Sequence, residues 1–233
     1  MPLPNTLVRL ALSLAALILC PQPADAQQPP PSAWSIGGTV GFGYAGGEGA
    51  SVMRLPWLLG LSLQRRIGDR PWWVGIEAIR LRARPTSAGM DTLRAGAPGD
   101  LTHAPGHLND VQTGHYDTGI VEGLVRYDVP SQGVVAKYAL AGLGLATTTG
   151  FLCNSSECAA GDGDVDLSHG WYGEFRRAMM IGGGVSLRLA DVSPQVAVPV
   201  MLYGEVRLVN VSTRHGGMFV TPVLIGVSIW STR

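Results

Sequence analysis

Eight stretches in which apolar residues alternate with small or polar ones predict an all-β chain, an eight-stranded antiparallel up-and-down transmembrane β-barrel. Two further observations support that fold class. After the N-terminal segment, no apolar run reaches the roughly 18 residues that a spanning helix needs. The connections alternate between short turns and long Gly/Pro-rich segments, as expected of short periplasmic turns at one end and longer external loops at the other. A chain that crosses lipid on strands must close into a barrel, because only closure leaves no backbone edge unpaired.

The chain begins with Arg9, the apolar run Leu10 to Leu19, and Ala24-Asp25-Ala26, the charged, apolar and small-residue parts of a secretory signal peptide. Residues 1–26 are therefore expected to be removed, with Cys20 discarded among them. Residues 27–33 form a Pro-rich leader, and 34–233 the barrel domain. Export places the mature protein in an oxidising compartment, where Cys153 and Cys158 are expected to form a disulfide closing a small loop. Charged residues make up 15% of the chain and the net charge is zero, so no basic field suggests nucleic acid as a partner.

The first strand, Trp34 to Tyr44, carries Trp34, Ile36, Val40, Phe42 and Tyr44 on one face and only small or polar residues on the other. Ala45 to Ser51 reads as a loop. Leu55 to Gln64 is the second strand, with Leu55, Trp57, Leu59, Leu61 and Leu63 together, and Ile67-Gly68-Asp69 is a tight turn. Trp72, Val74, Ile76 and Ala78 mark the third; its alternation blurs at Ile79 and Leu81, where a bulge or phase slip is allowed for. From Arg84 to Gly114 the periodicity disappears into a long loop. His115 to Tyr127 is the fourth strand, with Val121, Val125 and Tyr127 outward. Val134 to Thr147 is the fifth, in which Lys137 is expected to point to the lumen and Tyr138, Leu140, Gly142 and Gly144 to lipid. A long loop covers Thr148 to Arg177. Met179 to Leu189, Val200 to Val211 and Phe219 to Trp230 complete the eight.

The polar faces are mostly Gly, Ser and Thr, which suits a narrow lumen better than a solvated exterior. Long charged side chains on those faces come in both signs. Glu77, Glu122 and Glu205 against Arg126, Lys137, Arg188 and Arg207 can form an internal polar plug, since buried charge is tolerated when paired. Strand-end aromatics sort into two levels. Trp34, Trp72, Tyr127, Tyr138 and Trp230 fall at the turn end, and Tyr44, Trp57, Tyr116 and Phe219 at the loop end, as two interfacial girdles would.

With its signal segment, its Trp34 to Tyr44 strand, the short-turn and long-loop alternation, and the closing Phe219 to Trp230 strand, the chain resembles the small outer-membrane β-barrel proteins of the OmpA and OmpX type. It departs from many of them in following its last aromatic, Trp230, with Ser231-Thr232-Arg233. The resemblance implies the outer membrane of a Gram-negative-type bacterium, with outer-membrane lipid and the barrel-assembly machinery as partners. It also implies a structural or surface-recognition role through external loops, and no wide pore.

Chemistry-bearing patterns are weak. Asp162, Asp164 and Asp166 alternate like the start of a calcium loop, but Leu167 and Gly173 stand where a helix–loop–helix site wants glycine and glutamate, so the run reads as a solvated acidic loop. His103, His107 and His115, with Asp100 and Asp110, lie in a segment that nothing organises into a zinc site. No cofactor is expected. A lipid-modifying barrel enzyme is the alternative of a different class, resting on His169 and His215 near Ser168, Ser212 and Asp166. A soluble, secreted ligand-binding barrel is the third.

Overall fold

The computed structural model describes residues 33–47, 49–95, 113–130, 134–153, 164–166, 175–189, 199–212 and 217–231. The expected signal segment (1–26), most of the expected leader (27–33) and Cys158 lie outside them. The elements are β1 (Trp34–Gly47), α1 (Gly49–Val52), β2 (Met53–Arg66), β3 (Trp72–Pro85), α2 (Ser87–Ala95), β4 (Thr113–Val129), β5 (Val135–Cys153), β6 (Asp164–Asp166), β7 (Arg176–Arg188), β8 (Val200–Ser212) and β9 (Gly217–Trp230). Eight of the nine strands form a closed antiparallel barrel, in the order β4-β3-β2-β1-β9-β8-β7-β5 with β5 returning to β4. The short β6 pairs only with the far end of β5, opposite Phe151 to Cys153. Residues 164–166 of the acidic run are thus extended backbone.

Strand alternation sets which residues face out. Ile36, Leu61, Ile76, Val121, Leu143, Ile181, Leu202 and Ile225, one from each barrel strand, are 42–69% exposed. The first, eighth and ninth strands follow the parity that their sequences dictate, with Val223, Ile225, Val227 and Ile229 outward and Leu224 and Ser228 inward. At the turn after β2, Gly68 takes φ +54°, a left-handed conformation that costs glycine little. The Ile67 amide donates to the Trp72 carbonyl at 2.9 Å, and Arg66 Nε donates to the Arg70 carbonyl at 3.2 Å, closing the hairpin.

Several sequence expectations need correction. β3 has no phase slip at Ile79 and Leu81: its register with β4 is continuous from Trp72 opposite Tyr127 to Ala83 opposite Tyr116. The irregularity lies in β2, between Arg54 and Trp57, where Pro56 has no amide to donate and Leu55 has φ +31°. Ile79 and Leu81 blur the alternation because they point into the lumen, 5% and 0% exposed, and the lumen there is itself apolar. The fifth strand has the opposite phase to that expected. Tyr138, Leu140 and Gly142 face inward, while Leu143 and Leu145 are 69% and 53% exposed. Lys137 shares the outward parity of Leu143 and Leu145, although it is only 6% exposed. Its charge therefore misled the phase assignment, because at a strand end a long side chain can be buried without pointing into the lumen. The segment after Arg84 is not wholly irregular, since α2 occupies nine residues of it.

Candidate functional site

The lumen divides into a polar half toward the turns and an apolar half toward the loops. In the polar half, Arg207 of β8 reaches across to β3, the strand four positions away around the eight-membered ring. Its Nη1 donates to Glu77 Oε2 at 2.6 Å and its Nη2 to Glu77 Oε1 at 3.1 Å, the bidentate geometry that guanidinium and carboxylate favour. Its Nε donates to Glu205 Oε1 at 2.8 Å, and Nη2 also contacts Glu205. The Tyr138 hydroxyl of β5 donates to Glu205 Oε2 at 2.8 Å. Glu77 and Glu122 sit directly opposite one another in the β3–β4 register, both inward. Glu122 is 1% exposed and has no hydrogen bond at either oxygen; Arg207 Nη1 stands 3.9 Å from it.

Below this cluster Arg126 lies over the Tyr138 ring, 3.9 Å from its centroid, and donates to Asp128 Oδ1 at 2.7 Å. Trp73 Nε1 donates to the other oxygen of Asp128 at 2.8 Å. From β8 the Tyr203 hydroxyl donates to the Gly38 carbonyl of β1 at 3.2 Å. Gly226 makes that crossing possible, since a Cβ there would stand 2.2 Å from the Tyr203 ring. Two cavities of about 20 Å³ each remain among these side chains, room for roughly one water apiece.

The apolar half is filled by Leu58, Leu81, Ile120, Met180, Val209 and Leu224, all 1% exposed or less. The two helices cap it. Thr86 precedes α2 and its Oγ1 accepts from the Gly89 amide at 3.0 Å, an N-cap bond; the same hydroxyl bonds the Ser51 carbonyl of α1. Tyr116, 2% exposed, donates from its hydroxyl to the Gly89 carbonyl at 3.0 Å. Gly89 is backed so closely by α1 that a Cβ would lie 2.1 Å from the Val52 carbonyl oxygen.

Of the expected internal network, Glu77, Glu122, Glu205 and Arg207 come together, with Arg126 beneath them. Arg188 lies lower, near the Trp230 ring at 5.9 Å, and Lys137 is buried on the outward parity of β5. Sequence reasoning missed the bonds of Tyr138, Tyr203, Trp73 and Asp128, whose partners lie 55 to 165 residues away in the chain. Of the expected girdle residues, Trp34, Tyr44, Trp57, Trp72 and Phe219 are 37–47% exposed on the outer face, and the Tyr127 ring packs against Trp72 at a tilt of 55°, with centroids 4.7 Å apart. Tyr116, Tyr138 and Trp230 are turned inward instead. The first two exchange an interfacial position for a buried hydroxyl bond, and Trp230 has the inward parity of Ser228. Cys158, and with it the expected disulfide to Cys153, as well as Asp162, His103, His107, His169 and His215, fall outside the described residues. Among the described residues no three metal-ligating side chains converge.

A crystal structure of Neisserial surface protein A matches over 84% of this chain and 97% of that one, at 14% identity and a TM-score of 0.52. The fold is that of a small outer-membrane barrel. The barrel also aligns with Ail of Yersinia pestis, at 11% identity over 86% of this chain and 99% of that one, TM-score 0.42. With OprG of Pseudomonas aeruginosa the figures are 15% identity over 90% and 100%, TM-score 0.38. No family model and no curated protein matches the barrel in sequence.

Proposed function

We propose that the protein is an integral outer-membrane barrel of a Gram-negative-type bacterium, with a structural or surface-recognition role exercised from its loop end and outer wall. The observation that carries this reading is the combination of an outer wall of exposed Ile, Leu and Val with a lumen filled along its length. A soluble barrel would turn that apolar face inward. An eight-stranded barrel has little more interior than side chains fill, and here both halves are occupied, so a diffusive pore is not its task. Outer-membrane lipid then surrounds the wall, and insertion calls on the barrel-assembly machinery.

Two measurements test the reading on the purified full chain. In detergent, boiled and unboiled samples should differ in gel mobility, and liposomes carrying the protein should show no sugar-driven swelling. A protein that leaves cells without detergent sinks the membrane reading. Swelling above empty liposomes sinks the closed-lumen part alone.

A further inference from the structure

We propose that Arg54, Arg80, Arg82 and Arg84, on the outer wall at the loop end, form a docking site for the phosphate-bearing headgroup of an anionic membrane lipid; this rests on the outer-membrane reading above. On β3 the outward column changes character in one step: Trp72, Val74, Ile76 and Ala78 are followed by Arg80, Arg82 and Arg84. Same-face neighbours in a strand are roughly 6.6 Å apart, so three guanidiniums are stacked within about 13 Å of wall. Arg54 of β2 pairs directly with Arg84, adding a fourth.

Asp117 of β4 faces Arg82 in the register and ties two of the arginines together. It accepts from Arg80 Nε at 2.9 Å and from Arg82 Nη2 at 3.0 Å. One carboxylate against four guanidiniums leaves three positive charges in excess. Among the described residues Arg54 and Arg84 have no ion-pair partner, and both are exposed. Arginine forks match phosphate oxygens in pairs, so unspent donors held side by side favour a phosphate over a diffuse cloud of counterions.

The position favours a lipid over a free anion. The arginines sit immediately beyond the exposed apolar wall: Leu59 is opposite Arg80, and Leu61, Ala78 and Val121 form the next row. One molecule can therefore place its phosphate among the guanidiniums and its acyl chains along the leucines, gaining charge attraction and apolar burial together.

Native mass spectrometry of the full chain in dodecyl maltoside, titrated separately with lipid A and with phosphatidylcholine, tests the site. Wild-type protein should retain lipid A in preference to phosphatidylcholine. The variant Arg80→Gln/Arg82→Gln/Arg84→Gln should bind lipid A at least about tenfold more weakly, with phosphatidylcholine unchanged. Arg177→Gln, on the outward face of β7, should behave as wild type. Each variant must first show the heat-dependent mobility shift. If the triple variant lacks it, Arg54→Gln/Arg84→Gln, which breaks no ion pair, takes its place with a several-fold loss expected. A folded variant with undiminished lipid A binding overturns the proposal, as does an equal loss in Arg177→Gln. Displacement of lipid A by millimolar inorganic phosphate overturns the lipid assignment in favour of a free-anion site. Absence of the mobility shift in wild type would instead strike the outer-membrane reading.

Discussion

Replacing Arg207 by Met would test whether the polar half of the lumen is a dry, paired network or a wet channel lining. Three well-formed bonds disappear, two to Glu77 at 2.6 and 3.1 Å and one to Glu205 at 2.8 Å. Arg207 and both carboxylates have side chains no more than 5% exposed, so water cannot easily replace the lost donors. Hydrogen bonds to charged groups contribute about 1.5–3 kcal/mol each, but the decisive cost is leaving carboxylates buried without a counter-charge. Removing one partner of a buried pair costs about 3–5 kcal/mol, which is two to three and a half decades in the unfolding constant. An exposed pair such as Arg80–Asp117, cut by Arg80→Gln, should cost about 1 kcal/mol or less. Urea unfolding in phospholipid vesicles, followed by tryptophan fluorescence and by loss of the compact gel form, gives both numbers. Adding Glu77→Gln and Glu205→Gln to Arg207→Met should recover much of the loss, because the stranded charges go with the cation. If Arg207→Met costs no more than Arg80→Gln, or the triple variant recovers nothing, the cross-lumen network does not hold the barrel as described.

Glu122→Gln should raise the urea midpoint, by about 1 kcal/mol in stability. It removes a buried carboxylate that has no hydrogen bond and stands opposite Glu77; a lower midpoint would show that Glu122 has a stabilising partner in solution. Gly226→Ala places a methyl 2.2 Å from the Tyr203 ring and should cost about 1–3 kcal/mol in the same assay, whereas Gly38→Ala, on the outer face with its nearest side-chain atom at 3.8 Å, should be close to neutral. Leu61→Arg, near the middle of the exposed wall, should cost about 2–4 kcal/mol when folding is measured into vesicles; no loss there would argue that this face meets water.

How much of this was legible in the sequence depended on contrast between the two faces of each strand. β1 and β9 have it: large apolar residues alternate with Gly, Ser and Thr, and their phase could be read directly. β5 lacks it, because Ala139 to Leu145 consists only of Ala, Gly and Leu, and the single charge, Lys137, pointed to the wrong parity. In β3 the contrast inverts past Ala78, where the inward residues are Ile79 and Leu81 and the outward ones are arginines. A rule that sends apolar residues outward fails at that point, yet continuing the parity of Trp72 to Ala78 would have placed the arginines outside. The inner tyrosines were illegible for another reason. Tyr116 and Tyr138 sit near strand ends, where interfacial aromatics are also expected, and only the distant Gly89 carbonyl and Glu205 show that they are inside.

The inverted contrast in the loop half bears on where function can reside. Opening a path through the lumen would require Leu58, Leu81, Ile120, Met180 and Leu224 to leave a common core, as well as the charges below them to separate. Each fully buried side chain of that size is stabilised by about 1.5–3 kcal/mol, so exposing the set costs on the order of 10 kcal/mol before the ion pairs are counted. That is comparable with the whole stability of a typical domain, and a gate worked against it would unfold the barrel sooner than open it. An interior closed twice, once by apolar packing and once by paired charge, is a rigid support. On the role proposed above, recognition falls to the surfaces around this interior: the helix-capped loop end, and the arginine-bearing wall beside it.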